Sequence, residues 1–281
     1  MKNLTPYDQD CFDVHREAVR SKNRGELKNR LENLHSPVEI EYKIFDSKFG
    51  SNNISQLIPN HILAESKDDL LTLYRYQSQV IIGIREKIRS LQINTIITTC
   101  QNCTIDTANT LDHILPKSIF PEFVVNPKNL FPCCSPCNSY KLDSIDKESN
   151  QKFLNLYLDE LPKQQYLFLD ISFDMENKID FSFYLQNIKN DIPKELFSTI
   201  ENHYFKLHLF ERMKLKSIEH ISELENKITS FQENLDLELI VDILINAANK
   251  EKEAYGYNHW KCILEISLLR NSLFINRFRS K

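Results

Sequence analysis

The sequence predicts an α+β chain, mostly α-helical, with a small cysteine-bracketed β unit near its middle and a β-hairpin after it. Three observations predict this. Apolar residues recur three and four apart through both ends of the chain, which is the helical period. Gln165 to Asp174 and Lys178 to Leu185 instead alternate apolar and polar residues around Met175-Glu176-Asn177, a hairpin pattern. Between these regions, two Cys-x-x-Cys pairs, Cys100/Cys103 and Cys134/Cys137, enclose a stretch rich in polar motifs. The chain therefore divides into a helical region 1–99, a core unit 100–150, and a hairpin plus helical region 151–281.

Taken in order, Asp8 to Leu34 carries apolar positions at helical spacing with charges between. Pro37 and the stretch 46–60 (DSKFGSNNISQLIPN) read as breaks. Asp68 to Leu91 reads as one longer amphipathic helix running up to the first cysteine pair. Beyond the core unit, Phe153 to Leu161 is expected to be a short helix ended by Pro162. From Pro193 onward helices dominate. Ile200 to Lys216 places aromatics at helical spacing, and Ile218, Ile221, Leu224, Ile228, Phe231 and Leu235 form an apolar stripe that reads as a core face rather than a coiled-coil seam. His35 and His61 read as surface or cap residues. His203, His208 and His259 have no partner constellation in the sequence and take core or surface roles by default. No internal repeat is evident.

Length and composition exclude several classes. A chain of 281 residues, 41% apolar and 26% charged, is long enough for a sizeable core. No apolar run approaches the ~20 residues of a membrane span, and Met1 to Pro6 lacks the apolar segment of a signal peptide. Reduced, metal-bound cysteines suit a cytoplasmic protein better than a secreted one. Only four glycines occur, and no Gly-rich phosphate loop or dinucleotide fingerprint is present.

Chemistry concentrates between Cys100 and Lys141. Two thiolates two residues apart reach one ion from a single tight turn, and a second such pair completes a tetrahedral site, so Zn(II) is the expected metal. On the cysteines alone, a zinc ribbon that braces a fold, or binds nucleic acid without cutting it, remains open. Asp112 could be a turn or capping carboxylate, Asn138 a helix N-cap, and Lys141 a solvated lysine. Cys133, beside the ligand Cys134, reads as a small buried hydrophobe.

The order Cys-x-x-Cys, Asp112-His113-Ile114-Leu115-Pro116-Lys117, Asn129-Leu130, Cys134-x-x-Cys137-Asn138, Lys141 resembles the HNH endonucleases. The resemblance covers about forty residues. It implies a ββα-metal finger around one catalytic divalent ion, Mg(II) or Mn(II), with a separate tetracysteine zinc. His113 would be the general base, which a neutral imidazole can serve near pH 7. Asp112 and Asn138 would ligate the catalytic ion through hard oxygen donors. Asn129 would pin the loop that follows the base, and Lys117 and Lys141 would contact phosphates. The phrase from Leu111 to Pro132 further resembles the nuclease subunits of Septu-type phage-defence pairs. That resemblance implies a DNA-cutting effector held by an ABC/SMC-like ATPase.

The net charge of −4 is opposite in sign to that of a free-standing nonspecific nuclease, which gains affinity through a basic face. Basic residues are local here: His15 to Arg30 is one run, and Arg270, Arg277, Arg279 and Lys281 another. Such runs are more often solvated faces than backbone tracks. A partner that supplies part of the nucleic-acid grip is the other implication.

Overall fold

The computed structural model describes residues 1–93, 96–141, 153–176 and 178–279. Its N-terminal region is helical but more broken than the periodicity suggests. α1 (Cys11–Arg20) starts at Asp10, whose carboxylate accepts the Phe12 amide at 2.8 Å. Gly25 has φ 149°, a value that costs glycine alone no strain, and opens α2 (Glu26–Asn33). α3 (His35–Gly50) follows at once. Pro37 is not a break: it lies in the first turn of α3, where its missing N–H would have had no helical acceptor. The expected break at 46 comes only after Gly50, where Asn52 turns left-handed with φ 53°.

α4 (His61–Glu65) is capped by Asn60, which accepts the Ile62 and Leu63 amides at 3.0 and 3.2 Å. α5 (Lys67–Leu71) then ends early. The single helix expected over Asp68 to Leu91 is in fact two, because the chain leaves the helix at Thr72 and resumes only at α6 (Gln79–Ser90). Local polar groups make the break. Thr72 Oγ1 donates to the Asp69 carbonyl, Lys22 Nζ donates to the Thr72 carbonyl, and Ser78 caps α6 by accepting the Ile81 amide.

At the centre, β1 (Thr110–His113) pairs antiparallel with β2 (Leu130–Cys133), with Thr110 opposite Cys133 and His113 opposite Leu130. α7 (Ser135–Lys141) follows β2 directly, so the order is strand, strand, helix. Residues 142–150 of the predicted core unit lie outside the described residues. Phe153 to Leu161 is not a helix: the Asp159 carboxylate accepts the Asn155 amide at 2.7 Å, and Asn155 Oδ1 accepts the Tyr157 amide at 3.1 Å. Those side chains hold turns in place of helical backbone bonds.

The hairpin forms as the alternation predicts, β3 (Leu167–Phe173) against β4 (Ile179–Leu185), with Leu167 opposite Leu185. Its turn residue Asn177 lies outside the described residues. The helix expected over Ile200 to Lys216 splits into α8 (Lys194–Lys206) and α9 (Leu209–Phe231). His208, with left-handed φ 51°, redirects the chain between them. α10 (Leu237–Tyr255), α11 (Trp260–Leu269) and α12 (Ser272–Arg279) complete the chain. Of the predicted apolar stripe, Ile221, Leu224 and Ile228 are buried while Ile218, Phe231 and Leu235 are exposed, so only its middle is a core face.

One buried cluster runs from Phe45 in α3 through Val124 and Leu130 to Trp260 in α11. The strand–strand–helix unit is thus packed from both sides by helices. No described helix is long and apolar enough to cross a membrane.

Candidate functional site

The four cysteines converge as their spacing requires. Their sulfurs all lie within 4.8 Å of one another, and each residue is buried. Cys103 Sγ and Cys134 Sγ are 3.8 Å apart. A tetrahedral ion with Zn–S bonds of ~2.3 Å sets its sulfurs ~3.8 Å apart, so the donor set fits a tetrathiolate zinc. Each pair sits on a tight turn that aims backbone amides at sulfur. The Ile105 amide donates to Cys103 Sγ at 3.4 Å, and the Cys137 amide to Cys134 Sγ at 3.5 Å. Thr104, with φ 57°, closes the first turn. Close packing with Cys100, Cys103 and Cys137 holds the Cys134 thiol far below its ordinary range, so it favours the thiolate.

The C-terminal helices clamp this centre, and sequence reading missed all three clamps. Arg212 of α9 donates to Cys137 Sγ at 3.3 Å and Cys134 Sγ at 3.6 Å, and pairs with Asp106 at 2.9 Å. His203 of α8 contacts the Asn102 carbonyl through Nε2 at 2.8 Å, and the Trp260 indole donates to the Thr104 carbonyl at 3.0 Å. These partners lie 75 to 156 residues from the groups they contact, and only chain topology brings them together. No local pattern announces them.

The polar residues of the motif occupy the neighbouring ribbon. Alternation sends Thr110 and Asp112 to one face of β1 and Leu111 and His113 to the other. On the first face, α7 supplies Asn138 and Lys141, which are three apart and share a helix face. Asn138 Nδ2 donates to Thr110 Oγ1 at 3.3 Å, and Lys141 forms an ion pair with the Asp112 carboxylate. Asp112 is only 8% exposed; burial raises its pKa and Lys141 opposes the rise. Cys133 is fully buried, with Sγ 3.2 Å from Thr110 Oγ1, and burial pushes its thiol up to about 12. It packs as a small apolar residue.

On the second face, His113 Nε2 lies 3.0 Å from the Val124 carbonyl. A carbonyl only accepts, so Nε2 carries the proton and Nδ1 keeps the lone pair of a neutral ring. Burial pushes the His113 pKa down to about 4, which also favours the neutral form. The Tyr74 ring meets the imidazole edge-on at 4.8 Å. Asn129 is fully buried below the ribbon. Its Oδ1 accepts the Leu115 amide at 2.7 Å, and its Nδ2 donates to the Leu115 and Phe123 carbonyls at 3.2 and 3.3 Å. Asn129 therefore ties both ends of the loop after His113 to the start of β2. Lys117 is exposed, with Nζ 5.6 Å above the Tyr74 ring.

The structure thus brings Asp112, Asn138 and Lys141 together on the α7 face and sets His113 on the opposite face, against Tyr74. As metal donors, Asp112 and Asn138 offer one carboxylate and one amide oxygen, a hard-oxygen pair suited to Mg(II) or Mn(II).

Protein ea31 of Escherichia phage lambda is similar to this chain, 27% identical over 137 residues. The match covers 47% of this chain and 45% of the phage protein, so the chain spans less than half the length of that relative. No family model matches the chain. No solved structure matches it either.

Proposed function

We propose that this chain is an HNH-type, metal-dependent endonuclease that hydrolyses DNA phosphodiester bonds. The observation that carries the reading is the strand–strand–helix unit bearing Asp112, His113 and Asn138 beside a separate four-cysteine centre. In this reading the zinc is structural, and Asp112 with Asn138 would hold a catalytic Mg(II) or Mn(II). That ion would neutralise the phosphate and stabilise the departing 3′-oxygen. His113 Nδ1 takes a proton from water, the hydroxide attacks phosphorus, and the bond to the 3′-oxygen breaks. That oxygen leaves with a proton from solvent, giving a 5′-phosphate and a 3′-hydroxyl. The hydrogen bond from Nε2 to Val124 keeps the ring in the tautomer this role requires. Lys141 neutralises Asp112 and stands where a phosphate oxygen would arrive.

The resemblance to Septu-type nuclease subunits supports a defence role in a complex with an ABC/SMC-like ATPase, which we include in the proposal. A second reading, a silent zinc-finger adaptor, is favoured by one contact. Lys141 already satisfies Asp112, and a carboxylate so paired can brace α7 against β1 without any catalytic ion.

Plasmid cleavage with Mg(II) or Mn(II) tests the proposal, comparing wild type with His113→Ala, with and without an ABC/SMC-like ATPase partner. Cutting by wild type alone supports the nuclease. Silence of both proteins in both conditions, on DNA and on RNA, supports the adaptor.

A further inference from the structure

The two basic runs that stand out in the sequence are partly occupied, although Arg20, Arg24 and Arg270 form no ion pair among the described residues. Arg16 pairs with Asp13, and Arg30 grips Asp69 through two bonds of 2.6 and 2.9 Å. Lys22 and Lys28 donate to backbone carbonyls. In the tail, Arg277 pairs with Glu225 at 2.8 Å and Arg279 with Glu238 at 3.7 Å. Charges already held by carboxylates have less to give to a phosphate.

A different set of cations has no such partner. Among the described residues, Arg85, Arg89 and Lys117 form no ion pair. Arg85 and Arg89 are four apart on α6 and share a face. Together with Tyr76 they line a small cleft of about 30 Å³ whose far wall is Leu111 and Pro132, paired residues of the β1–β2 ribbon. The Arg85 guanidinium carbon lies over the Tyr76 ring, 4.4 Å from its centre, a cation–π contact. The Tyr76 hydroxyl in turn donates to the Asn109 carbonyl, just before β1. Two residues earlier, Tyr74 meets His113 at 4.8 Å and carries Lys117 over its ring.

Leu111 and His113 share one face of β1. The cleft reaches the ribbon at Thr110, Leu111 and Pro132, and the proposed base lies two residues beyond Leu111 on β1. Near His113, Arg89, Arg85 over Tyr76 and Lys117 over Tyr74 thus set cations that form no ion pair beside aromatic rings. That composition suits a sugar–phosphate backbone, which offers one anion per nucleotide and apolar sugar faces between them.

We propose that the Tyr74–Tyr76 segment and the Arg85/Arg89 face of α6 form a nucleic-acid track that delivers duplex DNA to His113. The inference rests on the nuclease reading and deepens it: the N-terminal helical region supplies half of the substrate groove. It also accounts for binding by a chain of net negative charge, because the field that matters is that of these cations.

The test is binding of a fluorescein-labelled DNA duplex to the full chain, read by anisotropy across 50–200 mM salt without added divalent ion. An RNA duplex and a single strand serve as parallel arms. Three proteins are compared with wild type: Arg85→Ala/Arg89→Ala, Arg89→Glu alone, and a control lacking two exposed lysines elsewhere, Lys216→Ala/Lys250→Ala. Arg89 is exposed on a helix surface, so Arg89→Glu keeps the fold even where the double variant does not; zinc content and the thermal melt check each protein. The expected slope of log K against log salt is shallower by about two in the double variant, one unit per lost phosphate contact. Arg89→Glu should bind at least about tenfold more weakly at low salt, and the control should bind like wild type. Wild-type binding with unchanged slope and affinity in both arginine variants would overturn the track while leaving the nuclease reading intact. Failure of wild type to bind any of the three nucleic acids would overturn both, and a preference for RNA would overturn the assignment to DNA.

Discussion

Arg212 offers a demanding test of how the metal centre is held. Four thiolates around Zn(II) would leave a doubly negative centre, and the four cysteines are buried where water cannot screen it. Arg212 sets two guanidinium nitrogens against that charge, 3.3 Å from Cys137 Sγ and 3.6 Å from Cys134 Sγ, with its side chain only 12% exposed. The same nitrogen that meets Cys134 also holds Asp106 at 2.9 Å, which fixes the fork. Truncation to alanine removes the countercharge and both sulfur contacts but leaves the cysteines, their turns and their amide donors in place. Loss of an outer hydrogen-bond partner typically weakens a metal site ~10–100-fold, or about 1.4–2.8 kcal/mol. Arg212→Lys should fall between, since an ammonium keeps the charge but cannot bridge two sulfurs and a carboxylate. Competition against a chromophoric zinc chelator reads the affinity directly, and thermal melts with saturating zinc separate it from loss of fold. If Arg212→Ala holds zinc within about twofold of wild type, the countercharge argument is wrong and the arginine merely fills space.

Other consequences are more direct. Metal analysis should find one zinc per chain at this centre, and Cys137→Ser or prolonged chelation should unfold the ribbon and α7, because binding and folding are coupled here; a chelated chain with an unchanged melt would refute that. Asn129→Ala deletes three hydrogen bonds from a fully buried amide and should cost about 3 kcal/mol in urea unfolding. Asn138→Ala, half-buried and with one 3.3 Å bond, should cost under about 1 kcal/mol and, on the nuclease reading, abolish cleavage; equal losses in the two variants would count against their distinct roles. Glu122 is buried with both oxygens unpartnered, and burial pushes its pKa from 4.5 up to about 7. The folded state then binds the proton more tightly than the unfolded one, so the stabilisation is full below pH 4.5 and lost as pH rises to 7. The loss is at most about 3 kcal/mol. Glu122→Gln should flatten that part of the stability profile between pH 4.5 and about 7, and an unaltered slope would place the titration elsewhere.

The features legible in the sequence are those whose cause is local. Cys100-x-x-Cys103 and Cys134-x-x-Cys137 encode their own turns, and the alternation in 165–185 encodes a hairpin through the pleat of a strand. The helix breaks were not legible. At Thr72 and His208 the apolar period continues across the break, while the chain is diverted by a Lys22–Thr72 contact in one case and a left-handed residue in the other. Phe153 to Leu161 misled for the opposite reason: its spacing is helical, but Asn155 and Asp159 offer the backbone closer partners. Within the site, motif spacing brought forward Asp112, His113, Asn129 and Asn138. It was silent on Tyr74, His203, Arg212 and Trp260, because each reaches the unit from a distant helix or from the turn between two helices. His15, part of an apparently basic surface run, is fully buried against Phe12 and His35, a placement that no charge count could show.

The two flanking regions hold the unit in different ways, and the difference bears on how it could be regulated. The C-terminal helices grip the four-cysteine side through Arg212, His203 and Trp260, all buried or nearly so, with bonds of 2.8 to 3.6 Å. The N-terminal side meets the unit through the Tyr74 ring on His113, the Tyr76 hydroxyl donating to the Asn109 carbonyl, and a Lys128–Asp46 ion pair at 2.7 Å, beside the cleft at Leu111 and Pro132. Polar bonds to a buried, charged centre are costly to break, whereas ring contacts at a half-exposed edge can shift with little loss. A partner that repositions the 72–78 segment would therefore move Tyr74 against His113 without disturbing the metal. The cysteine face fixes the unit, and on the nuclease reading the tyrosine face is where control would act.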